Sequence, residues 1–156
     1  MTITTRVADN SDIDTLACLC ITVWADTYCI EGIEPRHASY MLAEFSHANL
    51  QTRLQNTTVL LALDTGHLVG VMIYNDNNGE IETLYILPSY QGQGIGGRLL
   101  SDIQQYASKA MFLTCWEGNH SALSFYQHKG FSVDGEFYFD LDGEKIRNIK
   151  LVLCEH

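Results

Sequence analysis

The sequence predicts an α+β fold in which a mixed, mostly antiparallel central sheet of about seven strands is flanked by helices. Three strand-like segments between residues 57 and 87 are separated by turns of two to four residues, which are too short for parallel crossovers. A glycine-rich helix start at 92–97 then joins the third strand to another at 111–116, as in a single β–α–β crossover. With 156 residues, we expect a single domain over 1–156.

The N-terminal third is predicted to hold one strand followed by helices. Residues 2–8 are rich in β-branched side chains and alternate, which predicts a short first strand. Ser11, with Asp14 three residues later, indicates a helix start. Apolar residues then recur at helical spacing: Ile13, Leu16, Ala17, Cys20, Val23 and Trp24. Residues 31–36 break this helix, and 37–45 and 49–55 predict one or two further short helices.

The rest of the chain is predicted to be mainly strands. The first three, at 57–63, 67–75 and 80–87, form an antiparallel meander. One helix face follows, marked by Ile95, Leu99, Ile103 and Tyr106, and then a buried strand at 111–116. Residues 120–130 predict a helix that ends at Gly130, with Phe131 placed for the usual hydrophobic contact. Segments 132–141 and 146–153 form a last hairpin around Asp142-Gly143.

Composition excludes several classes of function. Nineteen acidic and nine basic residues give a formal net charge of −10, which opposes a nucleic-acid-binding surface. Five cysteines without a CxxC motif and six histidines without HExxH argue against a metal site or a disulfide framework. Neither a signal-like apolar core nor an apolar run long enough to span a bilayer occurs. We therefore expect a cytoplasmic protein with no metal and no membrane partner.

The glycine cluster of 92–97 indicates a binding site for an anion. It matches the dinucleotide pattern GxGxxG, with Glu117 twenty residues later. Four residues, 88–91, however, separate the strand from its first glycine, and too little chain follows Glu117 for further βα units. Consecutive uncovered N–H groups at a helix start instead form an anion site made of backbone.

Two linked motifs resemble a known family. The segment IETLYILPSYQGQGIGGRLL resembles the acetyl-CoA-binding segment of the GNAT superfamily of N-acetyltransferases, in which Gln91, Gly94 and Gly96 fill the fixed positions of Q/R-x-x-G-x-G/A. The segment NHSALSFYQHKGF (119–131) resembles the second motif of that family. The two motifs together cover residues 80–131, and the resemblance implies a GNAT-like fold.

The resemblance also implies a co-substrate, acetyl-CoA, and the residues that bind it. The pyrophosphate would lie on the main chain of Gln91, Gly92, Gln93, Gly94, Ile95, Gly96 and Gly97. The pantetheine arm would pair with Leu84 and Ile86 between two splayed parallel strands, 80–87 and 110–116. Asn119 would bond the pantetheine or cap a helix, and the sequence favours neither role over the other.

The resemblance assigns chemical roles as well. Ile86 N–H is the candidate oxyanion donor, and Tyr126 is the candidate general acid and a coenzyme contact, against the alternative of a packed aromatic. Strand alternation places Glu80 and Glu82 on one face with Leu84 and Ile86, so either carboxylate could be the base or a solvated acid at a hairpin end. Cys115 is a less favoured nucleophile, because the family transfers the acetyl group directly.

The acceptor is expected to bind at residues 23–35, where aromatic and acidic side chains suit a cationic amine. The candidates are Trp24, Tyr28 and Glu31, with Asp26 and Glu34 beside them. This stretch loosely resembles the polyamine-acetylating branch of the family. The sequence leaves open an acetyltransferase for peptide or protein N-termini, one for aminoglycosides, and a catalytically idle acyl-CoA-binding module. The chain could also form a homodimer.

Overall fold

Seven strands form one mixed sheet in the structure, a computed structural model that describes residues 1–153. The strands are β1 (Ile3–Val7), β2 (Thr58–Asp64), β3 (His67–Asn75), β4 (Glu80–Ile86), β5 (Phe112–Trp116), β6 (Phe131–Leu141) and β7 (Glu144–Leu153). Their order in the sheet is β1-β2-β3-β4-β5-β7-β6. Neighbouring strands are antiparallel except β4 and β5, which are parallel. The predicted fold class is thereby confirmed.

Five α-helices cover the two faces of the sheet in this part of the chain. They are α1 (Ile13–Tyr28), α2 (Pro35–Glu44), α3 (His47–Asn56), α4 (Ile95–Ile103) and α5 (His120–His128). Helices α1 to α3 bury one face together with alternate residues of β2 and β3, and α4 and α5 bury the other. Helix α4 is the predicted crossover between β4 and β5. None of these helices is both long and apolar enough to cross a membrane.

The start of α1 differs from the sequence prediction. A short 3-10 turn, Asn10–Asp12, precedes the helix, and the Asp9 side chain accepts a hydrogen bond from the Ser11 N–H at 2.9 Å. Asp12 reciprocates by accepting from the Asp9 N–H at 2.9 Å. The pairs Ser11 with Asp14 and Asp9 with Asp12 both have the spacing of a capping box, but only Asp9 and Asp12 form one.

In the C-terminal half of the chain, the predicted roles of Gly130 and Gly143 are confirmed, whereas the predicted extent of α4 is wrong. Gly130 has a φ of +97° and ends α5, and the buried Phe131 ring packs 5.4 Å from that of Tyr126. Asp142 and Gly143 both have positive φ, as a two-residue hairpin requires. Tyr106, in contrast, is not on the apolar face of α4: the helix ends at Ile103, and Tyr106 is 47% exposed.

Candidate active site

A gap between β4 and β5 is the central feature of the site. The two strands pair at one register position, Glu80 with Phe112, and separate beyond it. The Leu87 N–H donates to the Val69 carbonyl on the β3 side at 2.9 Å. Because N–H directions alternate along a strand, the N–H groups of Leu84 and Ile86 lie on the opposite edge, toward the gap. This edge can pair with an extended ligand.

A β-bulge at Glu82 changes the predicted faces of β4. Ile73 pairs with Thr83 and Tyr74 pairs with Ile81, so Glu82 is an extra residue with no partner on β3. The prediction that Glu80 and Glu82 share a face with Leu84 and Ile86 is therefore wrong. Leu84 and Ile86 pack on the α4–α5 side, whereas Glu80 pairs with Asn75 on the side of α1 to α3. Glu82 accepts a hydrogen bond from the Asn75 side-chain amide at 3.1 Å.

The glycine loop presents a row of unused amide groups. The first backbone hydrogen bond of α4 is donated by the Arg98 N–H to the Gly94 carbonyl. The six N–H groups of residues 92–97 have no acceptor among the described residues. Gly92 and Gly94 have φ values of +77° and +83°, and a Cβ on either would project into open space. These amides at a helix N-terminus favour an anionic ligand.

The other loop residues position this backbone. The Gln91 side chain donates to the Ile86 carbonyl at 3.2 Å, and the Gln93 side chain donates to the Ser89 carbonyl at 3.3 Å. Ile95 is buried in the core between α4 and the sheet, so only its backbone faces the loop. A Cβ on Gly96 would lie 3.3 Å from the Phe125 ring, so any larger residue there would require the Phe125 ring on α5 to shift.

A cleft of about 610 Å³ joins the glycine loop to the gap. It is lined by predicted cofactor residues from three elements: Leu84, Ile86, Gln91, Gly92, Gly94, Ile95, Gly96, Gly97, Asn119 and Tyr126. Gln93 does not line it. The structure thus brings ten of the eleven predicted cofactor residues around one cavity, which joins the amide donors of the glycine loop to the edge of β4.

A smaller cavity of about 200 Å³ lies where the gap meets α1 and α2. Seven aromatic residues line it: Trp24, Tyr28, Tyr40, Tyr85, Trp116, Tyr126 and Phe139. Glu82 is the single ionisable carboxylate in its lining, and no Lys, Arg or His is present there. Glu80 lines neither this aromatic cavity nor the cleft. Tyr28, Leu84 and Tyr126 line both, so the two cavities adjoin at these residues.

Tyr126 lies at this junction and is 6% exposed. Its ring packs against Phe125 at 5.3 Å and Phe131 at 5.4 Å, so it is also part of the core. Burial raises the pKa of its hydroxyl, with a smaller contribution from Cys115. Its hydroxyl has no hydrogen-bond partner among the described residues. Tyr126 therefore keeps its proton at neutral pH, and the residue lines both cavities.

Two other polar side chains line the aromatic cavity beside Tyr126: Asn119, whose hydrogen bonds are defined, and Cys115, whose protonation state is defined. Asn119 caps α5, with its carbonyl oxygen accepting from the Ala122 N–H at 3.2 Å. Its NH₂ group has no acceptor in the described part of the chain, so capping leaves a donor for a ligand. Burial raises the pKa of the Cys115 thiol to about 11. Cys115 is therefore a neutral thiol at physiological pH, which disfavours it as a nucleophile.

The predicted acceptor residues occupy three different places. Trp24 is 3% exposed and forms the back of the aromatic cavity, stacked on Tyr28 at 4.6 Å and Tyr40 at 4.9 Å. Tyr28 faces both cavities. Glu31 lines a neighbouring groove of about 640 Å³, which is bounded by the turn between α1 and α2 and by the β6–β7 hairpin. Trp24 and Tyr28 thus line the aromatic cavity, Tyr28 alone of the two also lines the cleft, and Glu31 lines neither.

Sequence reasoning missed several lining residues of the site, among them Tyr40, Asn148 and Lys129. Tyr40 and Asn148 line the aromatic cavity from α2 and β7, and Lys129 lines the cleft from the end of α5. Their positions depend on packing between distant elements, so no local pattern indicates Tyr40 or Asn148. Lys129 carries a signal, because it is a basic residue inside the second motif of an acidic chain.

The model of the Acetyltransferase (GNAT) family matches residues 21–131, which include β4, the glycine loop and α5. The chain belongs to the GNAT acetyltransferase family. The resemblance stated from the sequence and the enzyme class, an N-acetyltransferase, are thereby confirmed. An uncharacterised N-acetyltransferase of Mycobacterium tuberculosis is 30% identical over 123 residues, 72% of this chain and 79% of that protein.

Further similarities agree with this family. A spermine/spermidine N(1)-acetyltransferase of Bacillus subtilis is 32% identical over 96 residues, 52% of this acetyltransferase and 62% of that protein. The crystal structure of PaiA N-acetyltransferase from Thermoplasma acidophilum, in complex with coenzyme A, has a TM-score of 0.81 at 23% identity. The superposition covers 96% of this chain and 98% of the Thermoplasma acidophilum chain, which supports the assignment of the fold.

Proposed function

We propose that this GNAT acetyltransferase moves the acetyl group of acetyl-CoA directly to a primary amine that is cationic in water, such as one end of a polyamine. The observation that carries the proposal is the aromatic cavity, with one carboxylate and no basic side chain in its lining. An ammonium group inside an aromatic cavity gains about 0.5–2 kcal/mol from cation–π contacts. The similarity to the Bacillus subtilis spermine/spermidine N(1)-acetyltransferase supports the same acceptor class.

The order of polar groups along the cleft fits the order of groups in the coenzyme. Six unused N–H groups at the start of α4 suit a pyrophosphate. The free strand edge at Leu84 and Ile86 suits the amides of a pantetheine arm, and the Asn119 NH₂ group supplies a further donor beside it. Coenzyme A presents its anionic and amide groups in this order, so its thioester would lie at the junction with the aromatic cavity.

The residues at the junction match the demands of acetyl transfer. Bound acetyl-CoA supplies an activated acetyl group as a thioester. Glu82 accepts a proton from the acceptor ammonium, directly or through water, and frees the nitrogen lone pair. As the C–N bond forms, the Ile86 N–H stabilises the negative oxygen. As the C–S bond breaks, Tyr126 donates its proton to the departing sulfur, and the second proton of the attacking nitrogen passes to the Tyr126 oxygen, directly or through water. The proton held by Glu82 is released to solvent, and the products are an amide and a thiol.

Glu82 is the better base of the two predicted carboxylates because of its position. The bulge directs it into the lining of the aromatic cavity, and the Asn75 amide holds it at 3.1 Å. Burial and the neighbouring Glu82 raise the pKa of Glu80, but Glu80 lines neither cavity. A direct role for Glu80 in accepting the amine proton is therefore not part of the proposal.

The acceptor class is tested by measuring thiol release from acetyl-CoA with matched amines. We expect kcat/KM to be higher for spermidine than for 1-aminobutane, because the net charge of −10 attracts a polycation and because Glu31 in the adjoining groove has no ion-pair partner among the described residues, whereas Glu34 there is paired with Arg36. A peptide with a free N-terminus serves as the competing acceptor. Higher kcat/KM for the peptide than for spermidine would contradict the polyamine-like acceptor and favour N-terminal acetylation.

A further inference from the structure

Lys129 is the single basic residue in the lining of the 610 Å³ cleft. The chain has nine basic residues, and the five arginines form ion pairs with carboxylates of this chain. Lys150 lies 3.9 Å from Asp134. Three lysines, Lys109, Lys129 and Lys145, have no carboxylate within ion-pair distance in the described part of the chain, and of these only Lys129 lines the cleft. An unpaired cation in the cleft of a chain with a net charge of −10 needs an explanation.

The position of the Lys129 ammonium depends on the second glycine of the Gly96-Gly97 pair. The Nζ atom lies 3.0 Å from the point that a Cβ on Gly97 would occupy. It also lies 5.8 Å from the centre of the Phe125 ring, which the Lys129 stem follows along α5. A side chain at position 97 would displace the ammonium from the first turn of α4. Gly97 therefore leaves space for a cation beside the unused amides.

From this geometry we propose that Lys129 binds the pyrophosphate of acetyl-CoA together with the backbone amides of the glycine loop. This inference rests on the proposed function. It adds a charged side chain, from outside the Q/R-x-x-G-x-G/A motif, to the groups that bind the pyrophosphate. The amides contribute only partial charges, whereas a pyrophosphate is doubly charged and approaches an acidic protein. A lysine ammonium placed within the first turn of the same helix supplies the missing positive charge.

The ammonium is exposed to solvent, so its effect on affinity is moderate and depends on salt. Replacing it by a neutral group of similar length, as in Lys129→Gln, should weaken coenzyme A binding about 3- to 10-fold at low ionic strength. The difference from the parent should shrink at ~1 M salt, where the Debye length is about 3 Å. Lys129→Arg keeps the charge and should retain most of the affinity.

Calorimetric titration with coenzyme A and with 3′-dephospho-coenzyme A tests the assignment. Lys109→Gln is the matched control, because Lys109 is exposed, donates to the Asn77 carbonyl and lies outside the cleft. We expect Lys129→Gln to lose affinity for both ligands by the same factor, and Lys109→Gln to bind like the parent. An equal loss is expected because both ligands carry the pyrophosphate.

Two results would overturn the inference while leaving the proposed function intact. Unchanged affinity in Lys129→Gln, or an equal loss in Lys109→Gln, would show that Lys129 makes no specific contact. A loss for coenzyme A alone, with dephospho-coenzyme A unaffected, would move the contact to the 3′-phosphate. If the parent protein binds neither ligand, the proposed function itself fails, and that outcome is distinct from the other two.

Discussion

Replacement of Tyr126 by Phe separates proton donation from packing. The Phe ring keeps the contacts with Phe125 and Phe131, and the lost hydroxyl leaves no partner unsatisfied among the described residues. We therefore expect the free energy of unfolding to change by less than about 1 kcal/mol. If the hydroxyl protonates the departing sulfur, kcat should fall about 10²- to 10⁴-fold. At 1.36 kcal/mol for each factor of ten, this is about 2.7–5.4 kcal/mol of transition-state stabilisation.

The assay measures thiol release under acetyl-CoA saturation and coenzyme A affinity separately, for the parent and for Tyr126→Phe. Tyr106→Phe serves as the matched control, because Tyr106 is 47% exposed and lies outside both cavities. We expect unchanged affinity and a reduced kcat in Tyr126→Phe alone. An unchanged kcat, measured where coenzyme A release is not rate-limiting, would refute the assignment of the acid and leave Tyr126 a packing residue.

Three further predictions concern the pH profile, the base and the loop. The value of kcat/KM should stay nearly constant from pH ~7 to ~9.5, because the acceptor binds as an ammonium, whose pKa is ~10.4, and burial raises the pKa of Tyr126 and keeps it protonated there; a decline below pH 9.5 that Tyr126→Phe abolishes would contradict this. In steady-state assays, Glu82→Gln should lower kcat about 10²-fold or more, whereas Glu80→Gln should lower it less than about 3-fold. Equal losses of kcat in the two variants would contradict the assignment of Glu82 as the base. Gly94→Ala and Gly143→Ala, at φ +83° and +85°, should each lower the free energy of unfolding by about 1–2 kcal/mol in thermal melts. Only Gly94→Ala should weaken coenzyme A binding, and equal affinity in the two variants would show that the glycine loop does not bind the coenzyme.

The sequence contains enough local chemistry to predict most of the fold. Turns such as Asp142-Gly143 and the glycine that ends α5 require backbone conformations that few residues adopt, so they are visible in the chain itself. The glycine loop is visible for the same reason. The cap of α1 is ambiguous, because Asp9, Ser11 and Asp12 are all residues that favour helix starts.

The parts of the site that the sequence does not predict depend on contacts between distant elements. The segment from Glu80 to Ile86 has no glycine or proline to indicate an irregularity, so the bulge at Glu82 appears only once β3 is its partner. The aromatic cavity likewise needs α1, α2, β5 and the β6–β7 hairpin together. Tyr106 continues the helical spacing of α4 after the chain has left the helix, which shows that periodicity alone cannot set its end.

Product analysis after many turnovers tests the central claim most directly. The intact chain is mixed with acetyl-CoA and an excess of spermidine, and the products are identified by mass spectrometry as thiol release is followed. The account predicts one acetylated amine for each coenzyme A released, at a yield many times the enzyme concentration. Tight acetyl-CoA binding without an acetylated amine, from spermidine or from a peptide N-terminus, would contradict it and indicate an acyl-CoA-binding module instead.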